Sequence, residues 1–533
     1  MPLLECASLV DPPPLHALNW ETPMRIHSLV VALLTAGLAG VPAVRAESTP
    51  SPKSDTPAAK TEAQEPKSVS TKHSTTIGKT AFNYQALAEE TVLKDDQGKP
   101  QASIFSISYT LDRSGDVAQR PLVFLFNGGP GSSSVWLHLG AFGPMRVDVP
   151  SDPVNPGPPP YRLVPNQETL LPYGDLVFVD PVGTGYSHAM GDKKDGDYWG
   201  VDEDTGCMAA FIREYLTRHR RWASPRYLIG ESYGTTRASL LVRDLQLPAL
   251  NNVALNGVVL ISAALDVRTF LSGFPGNDLA YVASLPTFAA TAFYHHALDH
   301  PPADREQFLK DARDFASTEY LEALFQGEPV PDATADRIAQ KMHDFTGLSV
   351  DFLRRCHFRV NDARFCKELL RQRGQTIGAH DTRVLGEDPD AAGEGVEIDP
   401  FLESIGAPFV SAMNAYLAGD LGFQIDRQYQ VFQPAAAQGW KRPHGEPWVG
   451  GYLYTLPYLA EAAKINSGFR VFVASGYHDL TTTFFGTEYE FRHSGIDPKR
   501  LTVRNYDGGH MMYLAKSSRA QLASDVGAFL QQR

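Results

Sequence analysis

Apolar positions along the chain fall into two patterns, and their lengths separate strands from helices. "ASIFSISYTL" (102–111) alternates apolar and polar side chains, as a half-buried strand does. "PLVFLFN" (121–127), "DLVFVD" (175–180), "RYLIG" (226–230), "NGVVLISA" (256–263), "RVFVASG" (470–476) and "LTVRNY" (501–506) are short, continuous apolar runs that end at turn residues. Helical spacing predicts helices over 203–220, 235–246 and 454–465, the last followed by the stop signal "NSG". Continuous apolar strands alternating with helices predict a mostly parallel sheet covered on both faces.

Between about 268 and 450 that alternation lapses. "PADREQFLKDARDFASTEYLEALF", "DATADRIAQKMHDF", "SVDFLRRC" and "NDARFCKELLRQRG" read as amphipathic helices, several opening on an Asp, Ser or Asn cap. The aromatic stretch "FPGNDLAYVASLPTFAATAFYHH" reads as packing within the same block. The expected organisation is an α/β core in two parts, 78–267 and 451–533, interrupted by a largely helical cap over 268–450.

The first part of the chain reads differently. From Met24, the more natural start, "MRIHSLVVALLTAGLAGVPAVRAES" runs through a basic residue, an apolar stretch too short for a membrane span and a small-residue site ending at Ala46. That is a signal peptide over 24–46, so export to a periplasmic or extracellular compartment is expected, with no stable membrane insertion after its removal. Residues 47–77 are rich in Ser, Thr, Pro, Lys and Glu with almost no large apolar groups, and read as a disordered linker. In an oxidising compartment Cys356 and Cys366 would close a short loop as a disulfide, with Cys207 left buried and inert on a helix.

Composition narrows the function. A formal net charge of −13 argues against nucleic acid as a partner, and the basic run "RHRRW" (218–222) reads as the polar end of a helix. His296 and His300 in "HHALDH" have the spacing of one helical turn, but no acid follows at metalloprotease spacing, so no metal site is expected. Nothing in the sequence sets an oligomeric state.

"YLIGESYGTT" (227–236) carries the chemistry. Gly230-Glu231-Ser232-Tyr233-Gly234 is G-x-S-x-G between a strand and a helix, the setting of a nucleophile on a sharp turn whose neighbours must be small. A serine hydroxyl needs a base, and the base needs an orienting acid. Asp479 follows one late strand and His510 lies in a glycine-rich loop after the next; Asp507, three residues before His510, is the rival acid. "FLFNGGPGSSS" follows an early strand, and its glycines let backbone N–H groups approach a developing oxyanion.

Taken together and in order, "NGGPGSSS" (127–134), "GP" (143–144), "DPVGTGYS" (180–187), "GESYG" (230–234), "GYHD" (476–479) and "GGHM" (508–511) resemble the serine carboxypeptidases. The resemblance implies an α/β-hydrolase fold, peptide substrates and no cofactor or metal. It implies a triad of Ser232, Asp479 and His510, an oxyanion hole from the N–H groups of Gly129 and Tyr233, and a clamp for a substrate's terminal carboxylate from Asn127, Gly128 and Glu231. The chain departs from the family at two places. Ala141 stands where a second clamp acid is common, and Ser132 where a cysteine is common. Three functions follow: a secreted carboxypeptidase working through an acyl-enzyme, an esterase or acyltransferase with the same triad, or an inactive peptide-binding relative.

Overall fold

The structure, a computed structural model, describes residues 66–112, 119–150, 153–327, 329–442, 448–449 and 452–532. The predicted signal peptide and residues 47–65 of the predicted linker lie outside the described residues.

Six strands form the parallel part of the central sheet. They are β4 (Leu122–Phe126), β5 (Asp175–Val179), β6 (Arg226–Glu231), β7 (Gly257–Ile261), β8 (Arg470–Gly476) and β9 (Leu501–Tyr506), and all their mutual pairings are parallel. Every residue of β4, β5 and β7 is buried, because helices cover both faces of the sheet; that is why these strands read as unbroken apolar runs. Three antiparallel strands extend one edge: β1 (Ser68–Ile77), β2 (Thr80–Lys94) and β3 (Pro100–Leu111). The order across the sheet is β1-β2-β3-β5-β4-β6-β7-β8-β9, with a two-residue strand, His188–Ala189, also paired to β3. It is the α/β-hydrolase architecture expected from the sequence.

Two readings of this edge need correction. Residues 68–77, assigned to a disordered linker, are β1, paired residue by residue with β2 from Ser68↔Glu89 to Ile77↔Thr80. Its side chains are mostly exposed, so the ladder of backbone hydrogen bonds holds it and composition gave little sign of it. β3 is buried on both faces rather than one: Ser103, Ser106 and Ser108 are at most 4% exposed. Helix α1 (Val201–Arg218) reaches that face, and the Tyr215 hydroxyl bonds to Ser108.

Strand order positions the site. The chain leaves β4 for β5 on one side and leaves β6 for β7 on the other, so the connections after the neighbouring strands β4 and β6 lead in opposite directions. A crevice at such a point is where open α/β sheets bind ligands. Helix α2 (Tyr233–Gln246) starts there, directly after β6. Arg237 on α2 is fully buried, pairs with Asp204 of α1 at 2.6 Å and donates at 2.6 Å to the carbonyl of Asn127. That ion pair ties the loop after β4 to the two covering helices.

The stretch read as a single cap divides in two. Helices α3 (Leu279–Tyr294), α4 (Arg305–Phe315) and α5 (Asp332–Thr346) share an apolar core of their own with Phe365 and Leu370, closed by Leu480 and Phe484 from beyond β8. Asp304, Ser349 and Asn361 accept backbone hydrogen bonds as helix caps, whereas Asp332 lies inside its helix, behind Pro331. Helix α6 (Pro400–Ala418) instead buries Phe401, Ile405, Phe409 and Tyr416 in the main core beside Trp136 and Phe178.

Other local expectations also change. Cys356 and Cys366 are free thiols: Cys366 faces the apolar core of the insertion, while Cys356 at the end of a short helix is only half-buried. Cys207 is buried on α1. Helix α3 ends at Tyr294 and His296 has φ 51°, so His296 and His300 are not one helical turn apart. The basic run does end α1, with Arg218 in its last turn and His219 capping it, but Arg221 beyond it is buried and pairs with Asp175 at 2.7 Å. Among the described residues no helix is long and apolar enough to cross a membrane.

Candidate active site

Ser232 occupies the turn between β6 and α2 with φ 57° and ψ −129°, a conformation costly for any residue but glycine. Its neighbours explain the two flanking glycines. A Cβ at Gly230 would stand 2.1 Å from the Gly234 carbonyl oxygen, and one at Gly234 would stand 2.6 Å from that of Phe126. The turn is pinned from the next strand, because the Ser232 N–H donates to the Ile261 carbonyl at 2.9 Å.

Asp479 and His510 meet two strands away, after β8 and β9. The His510 Nδ1 lies 2.8 Å from Asp479 Oδ2. Asp479 is wholly buried and also accepts from the Thr481 and Thr482 N–H groups at 2.8 and 3.0 Å and from the Thr482 hydroxyl at 2.8 Å. Burial opposes a charge on His510, yet Asp479, by attraction and by its hydrogen bond, holds the pKa above the ordinary value. With Nδ1–H given to Asp479, Nε2 is left as the proton acceptor. The His510 backbone is fixed from two sides, by the Ser262 hydroxyl donating to its carbonyl at 2.7 Å and by its N–H donating to the His380 carbonyl at 2.5 Å. Asp507 does not face His510. Its side chain is 64% exposed and pairs with His478 and Arg305, and the His478 bond, against partial burial, holds its pkₐ down at about 2.

The loop after β4 closes the other wall. Gly129 has φ +101°, open to glycine and to few other residues. Gly128 packs so tightly on the start of α2 that a Cβ would lie 2.4 Å from the Tyr233 nitrogen. Tyr233 is the first residue of α2, where helix N–H groups lack helical partners. The Tyr233 hydroxyl accepts from Trp440 Nε1 at 3.0 Å.

Glu231 lies beside this loop, 2% exposed. Its Oε2 accepts from Asn127 Nδ2 at 2.7 Å and from the Tyr513 hydroxyl at 2.5 Å. Burial pushes its pKa up to about 7, against the opposing pull of His510 and the two donors. Asn127 is held in turn, its Oδ1 accepting from the Leu137 N–H at 3.0 Å. Ala141 is buried in the helical turn Leu137–Phe142, and Ser132 accepts from Trp136 Nε1 at 2.9 Å where a cysteine was expected of relatives.

All eight predicted residues therefore lie at the carboxyl ends of β4, β6, β8 and β9 or in the segments directly after them, with Asp479 and Glu231 both acting on His510 electrostatically. Sequence reasoning missed Tyr513, Thr482, the Arg237–Asp204 pair and His380. The His380 ring meets that of His510 edge-on at 5.3 Å and bonds to Asp399 at 2.7 Å. Tyr513 and Thr482 carried a visible signal, standing three residues after His510 and Asp479 respectively.

The family model described as serine carboxypeptidase matches residues 100–272. The retinoid-inducible serine carboxypeptidase of Rattus norvegicus is 31% identical over 135 residues, 25% of this chain and 26% of that protein. The pheromone-processing carboxypeptidase KEX1 of Saccharomyces cerevisiae is 36% identical over 128 residues, 24% of this chain and 16% of its own length. The matched segments thus span about a quarter or less of these relatives. The crystal structure of a prohormone-processing carboxypeptidase from Saccharomyces cerevisiae superposes with a TM-score of 0.51 at 17% identity, covering 84% of this chain and 91% of that one. Residues 100–272 are thus similar to the serine carboxypeptidase family, and the chain carries an α/β-hydrolase fold.

Proposed function

We propose that this protein is an exported serine carboxypeptidase that releases C-terminal residues from peptides through an acyl-enzyme. The observation that carries the reading is the Asn127–Glu231 pair beside the Ser232 turn, whose carboxyl has its pKa raised to about 7. A protonated Glu231 can donate a hydrogen bond to a substrate's terminal carboxylate, while the Gly128 N–H supplies a second donor. A carboxylate held there would leave the last peptide bond within reach of Ser232.

In the reaction, Ser232 Oγ attacks the carbonyl of that bond and His510 Nε2 takes the proton. The N–H groups of Gly129 and Tyr233 hold the oxyanion, and Asp479 stabilises the imidazolium. His510 then protonates the leaving amino acid. Water, deprotonated by the same histidine, releases the shortened peptide from Ser232.

Ala141 favours a second reading, an esterase or acyltransferase, because one acid in the clamp discriminates less than two. The deciding experiment is release of free amino acids from N-blocked dipeptides by the wild type and by Ser232→Ala. The peptidase reading expects release by the wild type alone. Ester cleavage without amino-acid release favours the second reading. Export is tested by amino-terminal sequencing of the mature protein, expected to begin near Glu47.

A further inference from the structure

This inference rests on the carboxylate-clamp reading above and asks what sets the orientation of Glu231. Two donors converge on one oxygen, Oε2: the Asn127 amide at 2.7 Å and the Tyr513 hydroxyl at 2.5 Å. Among the described residues Oε1 accepts no hydrogen bond. In a neutral carboxyl group one oxygen carries the proton and the other is the better acceptor, so two donors on Oε2 leave the proton to Oε1.

Tyr513 is suited to this task. Its side chain is fully buried in the turn Met512–Leu514, directly after the His510 loop. Burial and the adjacent Glu231 hold its hydroxyl well above the ordinary phenol range, so it remains a donor at any working pH. The turn Leu137–Phe142 offers no second acid, only Ala141.

We propose that Tyr513 is a positioning residue for the terminal carboxylate of the substrate, fixing Glu231 Oε2 as an acceptor so that the Oε1 proton is presented to the substrate. A phenol thereby does with a fixed donor what a second carboxyl group would do by sharing a proton. The charged or titratable groups that act on Glu231 are His510, Asp479 and Tyr513, and Asn127 is its other donor.

The test uses the full-length enzyme and Tyr513→Phe, which removes one hydroxyl and keeps the ring in place. Substrates are an N-blocked dipeptide with a free C-terminal carboxylate and the same dipeptide as its C-terminal amide. The variant is expected to lose about tenfold in kcat/KM on the free acid, chiefly through KM, and less than twofold on the amide. The alkaline limb of its free-acid profile moves to higher pH, because ionised Glu231 has lost one of two donors. Equal losses on both substrates, or no loss on the free acid, overturn the assignment of Tyr513. A wild type that does not distinguish acid from amide overturns the clamp reading and this inference together. As a second measurement, the infrared carbonyl band of protonated Glu231, identified by its absence in Glu231→Gln, shifts to higher frequency in Tyr513→Phe; an unshifted band also counts against the proposal.

Discussion

Asp479 and Glu231 are buried to the same depth at the ends of strands separated only by β7, and their surroundings differ sharply. Asp479 receives two backbone N–H groups, one hydroxyl and an imidazole, spread over both oxygens. Glu231 receives two neutral side-chain donors on a single oxygen, and burial raises its pKa to about 7. Depth alone therefore does not decide what a buried carboxyl does; the number and charge of its donors do. One is equipped to orient and stabilise an imidazolium, the other to carry a proton near neutrality.

The most severe way to break this comparison is to remove the chemistry on the Asp479 side. Ser232→Ala and Asp479→Asn are each expected to lower kcat by about 10⁴-fold or more while leaving the melting curve nearly unchanged, read in steady-state assays of equal protein. Glu231→Gln sharpens the other side. With a pKa of about 7, the wild-type ratio of kcat/KM on a free-acid dipeptide to that on its amide should fall about tenfold between pH 6 and 8 as Glu231 ionises. The glutamine variant keeps a donor that never titrates, so its ratio should change less than twofold over that range, both substrates following His510 alone.

The same substitution makes a stability prediction. The folded pKa of Glu231 lies above its unfolded value, so its contribution is fully present below about pH 4.5 and lost as pH rises through about 7. Raising that pKa from 4.5 to about 7 corresponds to roughly 3 kcal/mol. Glu231→Gln should therefore match the wild type in denaturant unfolding at pH 4 and exceed it at pH 8, by about 1–3 kcal/mol after relaxation. The smallest effect is expected at Thr482→Val, which removes one of four donors to Asp479. A loss of about 1 kcal/mol in stability and three- to tenfold in kcat would fit one missing hydrogen bond.

How far this contrast could be read from sequence depends on where each donor comes from. The elbow at Ser232 and Asp479 follow strands with continuous apolar runs, His510 follows the partly buried edge strand β9, and the elbow turn demands glycines at fixed positions. Those signals are local, so the parallel sheet and the triad candidates were legible. Tyr513 and the Arg237–Asp204 pair act across separate elements, and no periodicity announces a contact between β6 and the loop after β9, whereas Thr482 caps Asp479 from three residues away. β1 was missed for a related reason: it is held by backbone pairing to β2, with side chains too polar to suggest burial. The inserted block was legible as helical, but its division between a separate core and the sheet's own core depends on which faces meet.

The measurement closest to the central claim is the ratio of kcat/KM for an N-blocked dipeptide to that for its C-terminal amide, followed from pH 5 to pH 9 in the wild type. The account predicts that the free acid is preferred at low pH and that the preference falls with a midpoint near 7, the ionisation of Glu231, while the amide alone follows His510. A ratio that stays constant across that range would mean that Glu231 does not read the terminal carboxylate, and would contradict the assignment of this site to carboxypeptidase chemistry.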